Sequence, residues 1–393
     1  MIEEMSLEKI GIDKIGFYTP EFYLDLADLA QARAVDPNKF KIGIGQDEQA
    51  VLPLDQDVVT MAANASAPIL APKDRSEIDL IIFASESGID QSKAGALYLQ
   101  RLLGLNQSAR AFEIKEACYG ATAGLQMAYD HLAAHPDSQK VLVVAADVAR
   151  YGLETAGEVT QGAGAVSMLV TRAPRILALS QPTAYFSEEI MDFWRPNYSD
   201  TAFAEGKYST EQYLRFLEIV WHDYQQKTKT QLTDFAALLF HIPFTKLGLK
   251  GLCQMTADAD QETKARFLQV FETATIYNRQ VGNIYTGSLY LSLLSLLQKG
   301  DLSAGAKLGL FSYGSGAVGE FFAGELQSNF ESMSQLADVE TLLAQRQKLT
   351  VAEYERLFKQ TLPIDGSTLT IDPISQHAQF RLTGISGHQR QYK

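Results

Sequence analysis

Three residues with chemically useful side chains each follow a strand-like run in this 393-residue chain. Cys118 follows FEIKEA, Glu86 follows IIFAS and His241 follows ALLF. A cysteine can act as a nucleophile, a glutamate can transfer protons, and a neutral imidazole can donate a hydrogen bond to an oxygen that gains charge. Each also has a simpler interpretation, as a buried core cysteine, an exposed loop glutamate or a core histidine.

The surroundings of Cys118 favour the reactive interpretation. In FEIKEACYGATAG the cysteine lies between a strand-like and a helix-like segment. The partial positive charge of a helix N-terminus favours the thiolate over the thiol, although Glu116 would oppose this if it lies close. Burial at the end of a strand would raise the pKa of Glu86 toward neutrality, as proton transfer requires.

Two further segments carry candidate ligand-binding residues. Lys246 and Lys250 are spaced i, i+4 just after His241, and they either bind a phosphate-bearing ligand or form a solvated helix face. Asn283 opens the predicted helix in VGNIYTGSLY. It either caps that helix or donates its amide to a thioester oxygen.

Composition and charge exclude several classes of function. A formal net charge of −13 disfavours nucleic-acid and anionic-membrane partners. Two cysteines provide no disulfide framework, and the acidic N-terminal segment lacks a secretory signal, so we expect a cytoplasmic protein. The uncharged residues 280–298 are too polar for a bilayer span and predict an internal helix. His131 and His135 have no third ligand in view, so no metal site is predicted.

Apolar runs and helical patterns alternate along the chain. We predict strands at residues 78–88, 109–118, 140–150, 165–171, 175–180, 236–244 and 307–317. Helical spacing separates several of them, as in YGATAGLQMAYDHLAA. The order strand, helix, strand implies parallel pairing and an α/β fold with helices on both faces of the sheet.

Taken together, the motifs resemble those of a known family, the bacterial-type 3-hydroxy-3-methylglutaryl-CoA synthases, which are thiolase-fold condensing enzymes. The similar segments run in family order across nearly the whole chain: SESGIDQSKAGA, FEIKEACYGATAGL, DVARYGLETAGEVTQGAGAV, MDFWRPNYSD, EGKYS, FHIPFTKLGLKGL, VGNIYTGSLYLSLLSLL and FSYGSGAVGEFF.

The resemblance implies a thiolase-like fold and a two-substrate reaction. Two pseudo-repeated α/β halves, residues 1–172 and 173–393, would form a layered αβαβα core. Cys118 would be acetylated by acetyl-CoA, and Glu86 would transfer protons during the condensation with acetoacetyl-CoA. His241 would hold the ketone, and water would release 3-hydroxy-3-methylglutaryl-CoA, a mevalonate-pathway intermediate of isoprenoid synthesis.

The resemblance also implies supporting residues and partners. The residues assigned to substrate binding are Arg33, Tyr151, Thr155, Asp192, Lys246, Lys250, Asn283 and Ser315. Within this set, Asp192 resembles a carboxylate behind the catalytic glutamate, and the two lysines resemble contacts to CoA phosphates. Coenzyme A thioesters would be the ligands, with no metal or other cofactor, and the protein would be a homodimer.

Two other functions fit parts of the same pattern. A ketoacyl synthase III-like condensing enzyme of fatty acid synthesis would pair its cysteine with histidine and asparagine and would not depend on Glu86. A noncatalytic acyl-CoA-binding protein would keep Lys246 but would not become acetylated on Cys118. Thiol release and product mass distinguish these functions.

Overall fold

The structure is a computed structural model that describes residues 9–393. In chain order its strands are β1 (Ile10–Tyr18), β2 (Phe22–Asp25), β3 (Glu48–Val51), β4 (Ile78–Ala84), β5 (Arg110–Ile114), β6 (Lys140–Ala149), β7 (Gly162–Arg172), β8 (Leu177–Ser187), β9 (Phe193–Trp194), β10 (Phe203–Ala204), β11 (Ala237–Phe240), β12 (Lys307–Gly314), β13 (Val318–Leu326), β14 (Gln347–Lys348), β15 (Leu369–Thr370), β16 (Leu382–Ser386) and β17 (Gln389–Tyr392).

α-Helices lie in half of the segments between these strands. They are α1 (Leu26–Ala32), α2 (Val58–Ser66), α3 (Pro72–Glu77), α4 (Gly95–Leu103), α5 (Gly120–Ala134), α6 (Gly206–Thr228), α7 (Thr245–Met255), α8 (Gln261–Ala274), α9 (Ile276–Val281), α10 (Ser288–Lys299), α11 (Phe330–Ser334), α12 (Val339–Ala344) and α13 (Val351–Phe358). A π-helical turn, Lys39–Ile44, and a 3-10 turn, Tyr285–Gly287, lie beside the candidate site.

The main sheet has nine strands in the order β11-β12-β13-β8-β1-β7-β6-β4-β5. The predicted α/β class is confirmed, but the expectation of parallel pairing is only partly right. The pairs β4–β5, β4–β6 and β11–β12 are parallel, whereas the other pairs in this sheet are antiparallel. Strand β7 follows β6 without an intervening α-helix, so it returns antiparallel.

Strands from the two predicted halves meet where β1 pairs with β8 over two residue pairs. Outward from that junction the order is β1-β7-β6-β4-β5 on one side and β8-β13-β12-β11 on the other. Helix α5 packs on β4 and β6, α10 packs on β11 and β12, and a 2.8 Å hydrogen bond between the Thr122 and Tyr290 hydroxyls joins the two helices. Helices α2 and α6 cover other parts of the two sets of strands. The division at residue 172 stays a prediction.

Helix α10 is an internal helix, as its sequence predicted, because residues 288–297 are all buried. The predicted start at Asn283 is wrong, because a 3-10 turn intervenes and α10 begins at Ser288. Among residues 9–393, no helix has the length and apolar character that a membrane crossing requires.

The candidate site residues lie just beyond strand ends. Glu86 follows β4, Cys118 follows β5, Tyr151 follows β6, His241 follows β11 and Ser315 follows β12. Because β4, β5 and β6 run parallel, their carboxyl ends meet at one edge of the sheet, which is where open α/β sheets usually bind ligands.

Candidate active site

Cys118 lies in a tight turn immediately before helix α5. The residue before it, Ala117, has a positive φ of 39°, and the Tyr119 backbone N–H donates to the Glu116 carbonyl at 2.9 Å. Gly314, at the end of β12, packs directly on this turn, since a Cβ there would lie 2.6 Å from the Cβ of Tyr119. The turn therefore carries a half-buried cysteine and is held in place by a strand from the second half.

The Cys118 thiol donates to the Oε1 atom of Glu86, with Sγ and Oε1 3.5 Å apart. The pKa of the thiol is raised, first by burial, then by the Glu86 carboxyl when it is ionised and by the negative charge of Asp147. The expectation that the helix N-terminus favours the thiolate is therefore wrong for the unacetylated cysteine. Helix α5 begins two residues after the cysteine, and the nearby carboxylates outweigh its partial positive charge.

Glu86 is oriented by a second carboxylate, Asp147, which is fully buried on β6. One oxygen of Asp147 accepts hydrogen bonds from the backbone N–H groups of Glu86 at 2.9 Å and Ser87 at 3.0 Å. The same oxygen accepts from the hydroxyls of Ser85 at 3.1 Å and Ser87 at 2.9 Å. Asp147 therefore fixes the backbone of residues 85–87.

Burial raises the pKa of both carboxyl groups, and the negative charge of Asp147 raises that of Glu86 further, to about 8. Because four donors point at one oxygen of Asp147, we assign the negative charge to Asp147 and the proton to Glu86. The raised pKa that the sequence predicted for Glu86 is confirmed.

Arg195 acts on the same glutamate from the second half. Its guanidinium donates to the backbone carbonyl of Glu86, and its positive charge lowers the pKa of the Glu86 carboxyl, which opposes the effect of Asp147. The pKa of Glu86 thus reflects burial, Asp147 and Arg195 first, and then the Cys118 hydrogen bond, which lowers it, and the charge of Glu116, which raises it.

Asp192 is fully buried beneath the turn that carries Ser315. One of its oxygens accepts hydrogen bonds from the hydroxyls of Tyr313 at 2.8 Å and Ser209 at 3.1 Å, and the other accepts from the backbone N–H of Gly316 at 3.0 Å. Its negative charge also raises the pKa of Cys118. Asp192 therefore supports the β12–β13 turn close to Cys118.

Tyr151 and Asn283 form an aromatic and amide wall of the site. The Asn283 amide donates to the Tyr151 hydroxyl at 3.3 Å, and its carbonyl oxygen accepts from the Tyr285 backbone N–H at 2.8 Å. The Tyr151 ring meets those of Tyr285 and Phe193 edge to face. The charges of Cys118 and Glu86 help to raise the pKa of Tyr151. Asn283 thus stabilises the turn and faces Tyr151.

His241 is almost completely buried, and burial lowers its pKa to about 3. The predicted neutral imidazole is therefore confirmed, and its Nδ1 atom has no hydrogen-bond partner among the described residues. Its backbone N–H donates to the Phe311 carbonyl of β12 at 2.7 Å, and its carbonyl accepts from the Tyr213 hydroxyl at 2.9 Å. Strand β12 therefore links His241 to the turn at Cys118.

A cavity of about 1120 Å³ opens beside Glu86. Glu86, Glu116, Arg195 and Ser315 lie in its wall, together with the edge strand β5. Cys118 and His241 do not line this cavity. The thiol is separated from it by Glu86 and by Glu116 and Ala117, the two residues that precede the cysteine. In residues 9–393 there is no cluster of three or more histidine, cysteine, aspartate or glutamate side chains that could hold a metal ion.

The two predicted phosphate-binding lysines lie in the first turns of α7 and form no ion pair with a described residue. Lys246 is half-buried and Lys250 is exposed. Gly45, which follows the π-helical turn Lys39–Ile44, packs against Thr245 and the backbone of Lys246. The cations Lys39 and Lys41 of that turn are exposed, so they add to the positive charge of this face.

The other two predicted binding residues have protein partners. Arg33 pairs with Glu158 at 2.7 Å and with Glu355 at 2.8 Å. The Thr155 hydroxyl donates to the backbone carbonyl of Tyr151 at 3.1 Å. Arg33 is thus a brace between α1 and α13, and Thr155 stabilises the loop after β6.

Comparison with known proteins identifies the family. The N-terminal model of hydroxymethylglutaryl-coenzyme A synthase matches residues 7–174, and the C-terminal model matches residues 178–269 and 257–364. A hydroxymethylglutaryl-CoA synthase of Enterococcus faecalis is 49% identical over 385 residues, covering 98% of this chain and 99% of that protein. The chain belongs to the hydroxymethylglutaryl-CoA synthase family.

Other members of the hydroxymethylglutaryl-CoA synthase family agree in fold. A crystal structure of an HMG-CoA synthase complexed with CoA superimposes with a TM-score of 0.94 at 46% identity, covering 98% of this chain and 99% of that one. A polyketide biosynthesis 3-hydroxy-3-methylglutaryl-ACP synthase of Bacillus subtilis is 32% identical, covering 89% of this chain and 88% of that protein. The predicted thiolase-like fold is thereby confirmed.

The structure brings Glu86 and Cys118 into contact and places Tyr151 and Asp192 in their electrostatic environment. Sequence reasoning missed Asp147 and Arg195. A signal existed for each, because Asp147 is the one acidic residue of the apolar strand KVLVVAADVA and Arg195 belongs to the family segment MDFWRP.

Proposed function

We propose that this chain condenses acetyl-CoA with acetoacetyl-CoA and water to give 3-hydroxy-3-methylglutaryl-CoA and free CoA, a reaction of the mevalonate pathway. The observation that carries the proposal is the contact between the Cys118 thiol and the Glu86 carboxyl, in a chain that matches the family over nearly its full length. A nucleophile beside an acid/base group is the arrangement that this chemistry needs.

In the first step the sulfur of Cys118 attacks the carbonyl carbon of acetyl-CoA. A new carbon–sulfur bond to the cysteine forms, the bond to CoA breaks, and the thiol proton ends on the CoA sulfur. Because the pKa of Cys118 is raised, the thiol must lose its proton during the attack rather than before it.

In the second step the Glu86 carboxylate takes a proton from the acetyl methyl group. The resulting carbanion attacks the C3 ketone of acetoacetyl-CoA, and Glu86 returns the proton to the new alkoxide. A neutral His241 donates a hydrogen bond to that oxygen as it gains charge. Water then hydrolyses the thioester at Cys118, which frees the carboxylate product and restores the thiol.

The remaining predicted residues either bind the substrates or support the residues that do. Lys246 and Lys250 bind the CoA phosphates, because they are cations without protein partners among residues 9–393 of an acidic chain. Tyr151, Asn283 and Ser315 surround the acyl groups, and Asp192 supports them from below. Arg33 and Thr155 shape the loops around the site, and we propose no metal or other cofactor.

A second candidate differs in the acceptor thioester. The Bacillus subtilis relative is named for an ACP-linked product, whereas the more similar Enterococcus faecalis relative is named for CoA. Because the product keeps the thioester of the acetoacetyl substrate, the test is to incubate the protein with acetyl-CoA and either acetoacetyl-CoA or an acetoacetylated acyl carrier protein, and to measure product mass. We expect the six-carbon branched CoA product from acetoacetyl-CoA. Formation only with the carrier protein, or no product, would reject the proposal.

We also propose a homodimer in the cytoplasm. Strand β5 is the last strand of the main sheet, and its open edge lines the large cavity, so pairing of two β5 edges would cover unpaired backbone groups. Both cysteines are free, which suits a reducing compartment. Light scattering at several protein concentrations tests the dimer, and a concentration-independent monomer would contradict it.

A further inference from the structure

We propose that Thr286 is a positioning residue that fixes the distance between Cys118 and Glu86. This inference deepens the proposed function and rests on it. Thr286 lies in the 3-10 turn before α10. It makes no hydrogen bond to the Cys118 thiol among the described residues. Instead it touches two elements of the first half, one that carries the nucleophile and one that orients the glutamate.

The first contact is to the nucleophile helix. The backbone N–H of Ala121 donates to the hydroxyl oxygen of Thr286 at 2.6 Å. Ala121 is in the first turn of α5, where N–H groups have no partner within the helix. Gly120 lies beside the same hydroxyl, since a Cβ there would be 3.8 Å from it. Thr286 therefore accepts a hydrogen bond from the first turn of the helix that follows Cys118.

The second contact is to the carboxylate behind Glu86. The backbone N–H of Thr286 donates to Asp147 at 3.4 Å, on the oxygen that does not hold residues 85–87. The other oxygen of Asp147 accepts the backbone N–H of Glu86. One residue of the second half thus connects the turn at Cys118 with the turn at Glu86.

Thr286 itself is held rigidly. It is almost completely buried, and Asn283 fixes its turn by accepting from the Tyr285 backbone N–H at 2.8 Å and from the Ser288 hydroxyl at 3.1 Å. The same Ser288 hydroxyl accepts from the Ile284 backbone N–H at 3.1 Å. Because these hydrogen bonds hold the turn, the side-chain rotamer and backbone of Thr286 do not relax freely. Thr286 can therefore fix the position of the groups that it contacts.

The geometry at the site explains why such a brace matters. The Sγ–Oε1 separation of 3.5 Å leaves little tolerance, because the acetyl methyl group on Cys118 must come within reach of the same carboxyl. Valine has nearly the shape of threonine but cannot accept the Ala121 N–H, so Thr286→Val leaves that buried donor unpaired. Thr286→Ser keeps the acceptor.

The test separates acetylation from condensation. Thr286→Val, Thr286→Ser and wild-type protein are acetylated with acetyl-CoA, desalted and mixed with acetoacetyl-CoA in single-turnover experiments. For Thr286→Val we expect the condensation rate to fall by about 10- to 100-fold, the loss typical of an ångström-scale misplacement. The half-saturating acetoacetyl-CoA concentration should not change, and Thr286→Ser should stay within about threefold of wild type.

A matched control is Thr256→Val, since Thr256 is another buried threonine but its hydroxyl bonds only to the Leu252 carbonyl of its own helix. It should leave the condensation rate unchanged. The inference is overturned if Thr286→Val condenses at the wild-type rate, if Thr286→Ser loses as much as Thr286→Val, or if only the acetylated fraction falls while the rate of that fraction is kept. Failure of wild-type protein to form acetyl-enzyme or product would instead reject the proposed function.

Discussion

Replacing Arg195 by methionine should shift the pH dependence of condensation to higher pH. Glu86 must be ionised to take the methyl proton, and its pKa is about 8. The wild-type condensation rate should therefore rise with pH, with a midpoint near 8, and should fall about tenfold for each pH unit below it. Arg195 is the cation that lowers this pKa, so its removal must raise it.

The magnitude follows from the neighbouring charges. A cation beside a carboxylate commonly lowers the carboxyl pKa by about 1 to 3 units, and we take the lower value because Glu86 is half-buried and the Arg195 hydrogen bond goes to its backbone carbonyl rather than to its carboxyl. In Arg195→Met the midpoint should therefore rise by about one pH unit. That corresponds to about a tenfold lower rate at pH 7, or about 1.4 kcal/mol, and to a much smaller change well above both midpoints.

The assay uses acetylated enzyme and a single turnover with acetoacetyl-CoA at a series of pH values. Arg195 also donates to the Glu86 carbonyl, and loss of that hydrogen bond should lower the plateau without moving the midpoint. Arg195→Lys keeps the charge and should keep the midpoint. An unchanged or lower midpoint in Arg195→Met, or an equal shift in Arg195→Lys, would refute the electrostatic reasoning.

Three further changes test other parts of the site. His241→Ala should lower the condensation rate by about 100- to 1,000-fold, as for loss of one oxyanion donor. Between about pH 5 and 7 the wild-type rate should follow the ionisation of Glu86 alone, about tenfold per pH unit; a steeper fall there, which would indicate a second titrating group of histidine type, would contradict the neutral imidazole. Lys246→Ala with Lys250→Ala should raise KM for CoA substrates with little effect on kcat, and the effect should shrink at high salt; a kcat loss at constant KM would exclude phosphate binding. Gly314→Ala should displace Tyr119 and so slow the acetylation of Cys118. It should also lower the free energy of unfolding, measured in urea, by about 1 to 3 kcal/mol. Acetylation at the wild-type rate would show that the close packing of Gly314 on Tyr119 is not needed.

The sequence predicted the α/β class and the strands that precede Glu86, Cys118 and His241. Strands β4 and β11 are buried, largely apolar runs that stand out locally, whereas β5 is a partly exposed edge strand that contains Arg110 and Glu113. The sequence did not predict β1 or β13. Strand β1 contains Asp13 and Lys14, whose ion pairs with Arg175 and Asp74 allow charged residues in a fully buried strand. Such pairing is set by tertiary contacts and leaves no local pattern.

The candidate catalytic residues were predictable individually, as were the raised pKa of Glu86 and the neutral imidazole of His241, but the protonation of Cys118 was not. The helix N-terminus after Cys118 suggested a thiolate, whereas the pKa of the thiol is raised because Asp147 and Glu86 arrive from other strands. Arg33 illustrates the same limit, since its partners Glu158 and Glu355 lie far away in the chain. Charged residues that come together only on folding cannot be paired from their spacing in the sequence.

The most direct test of the mechanism is the mass of the protein after brief exposure to acetyl-CoA alone, mapped to peptides. We predict one added acetyl group on the peptide that contains Cys118, with release of one equivalent of CoA. Cys118→Ser should gain no acetyl group, and Glu86→Ala should gain it but give no product with acetoacetyl-CoA. An unmodified Cys118 peptide, or acetylation on another residue, would contradict the account.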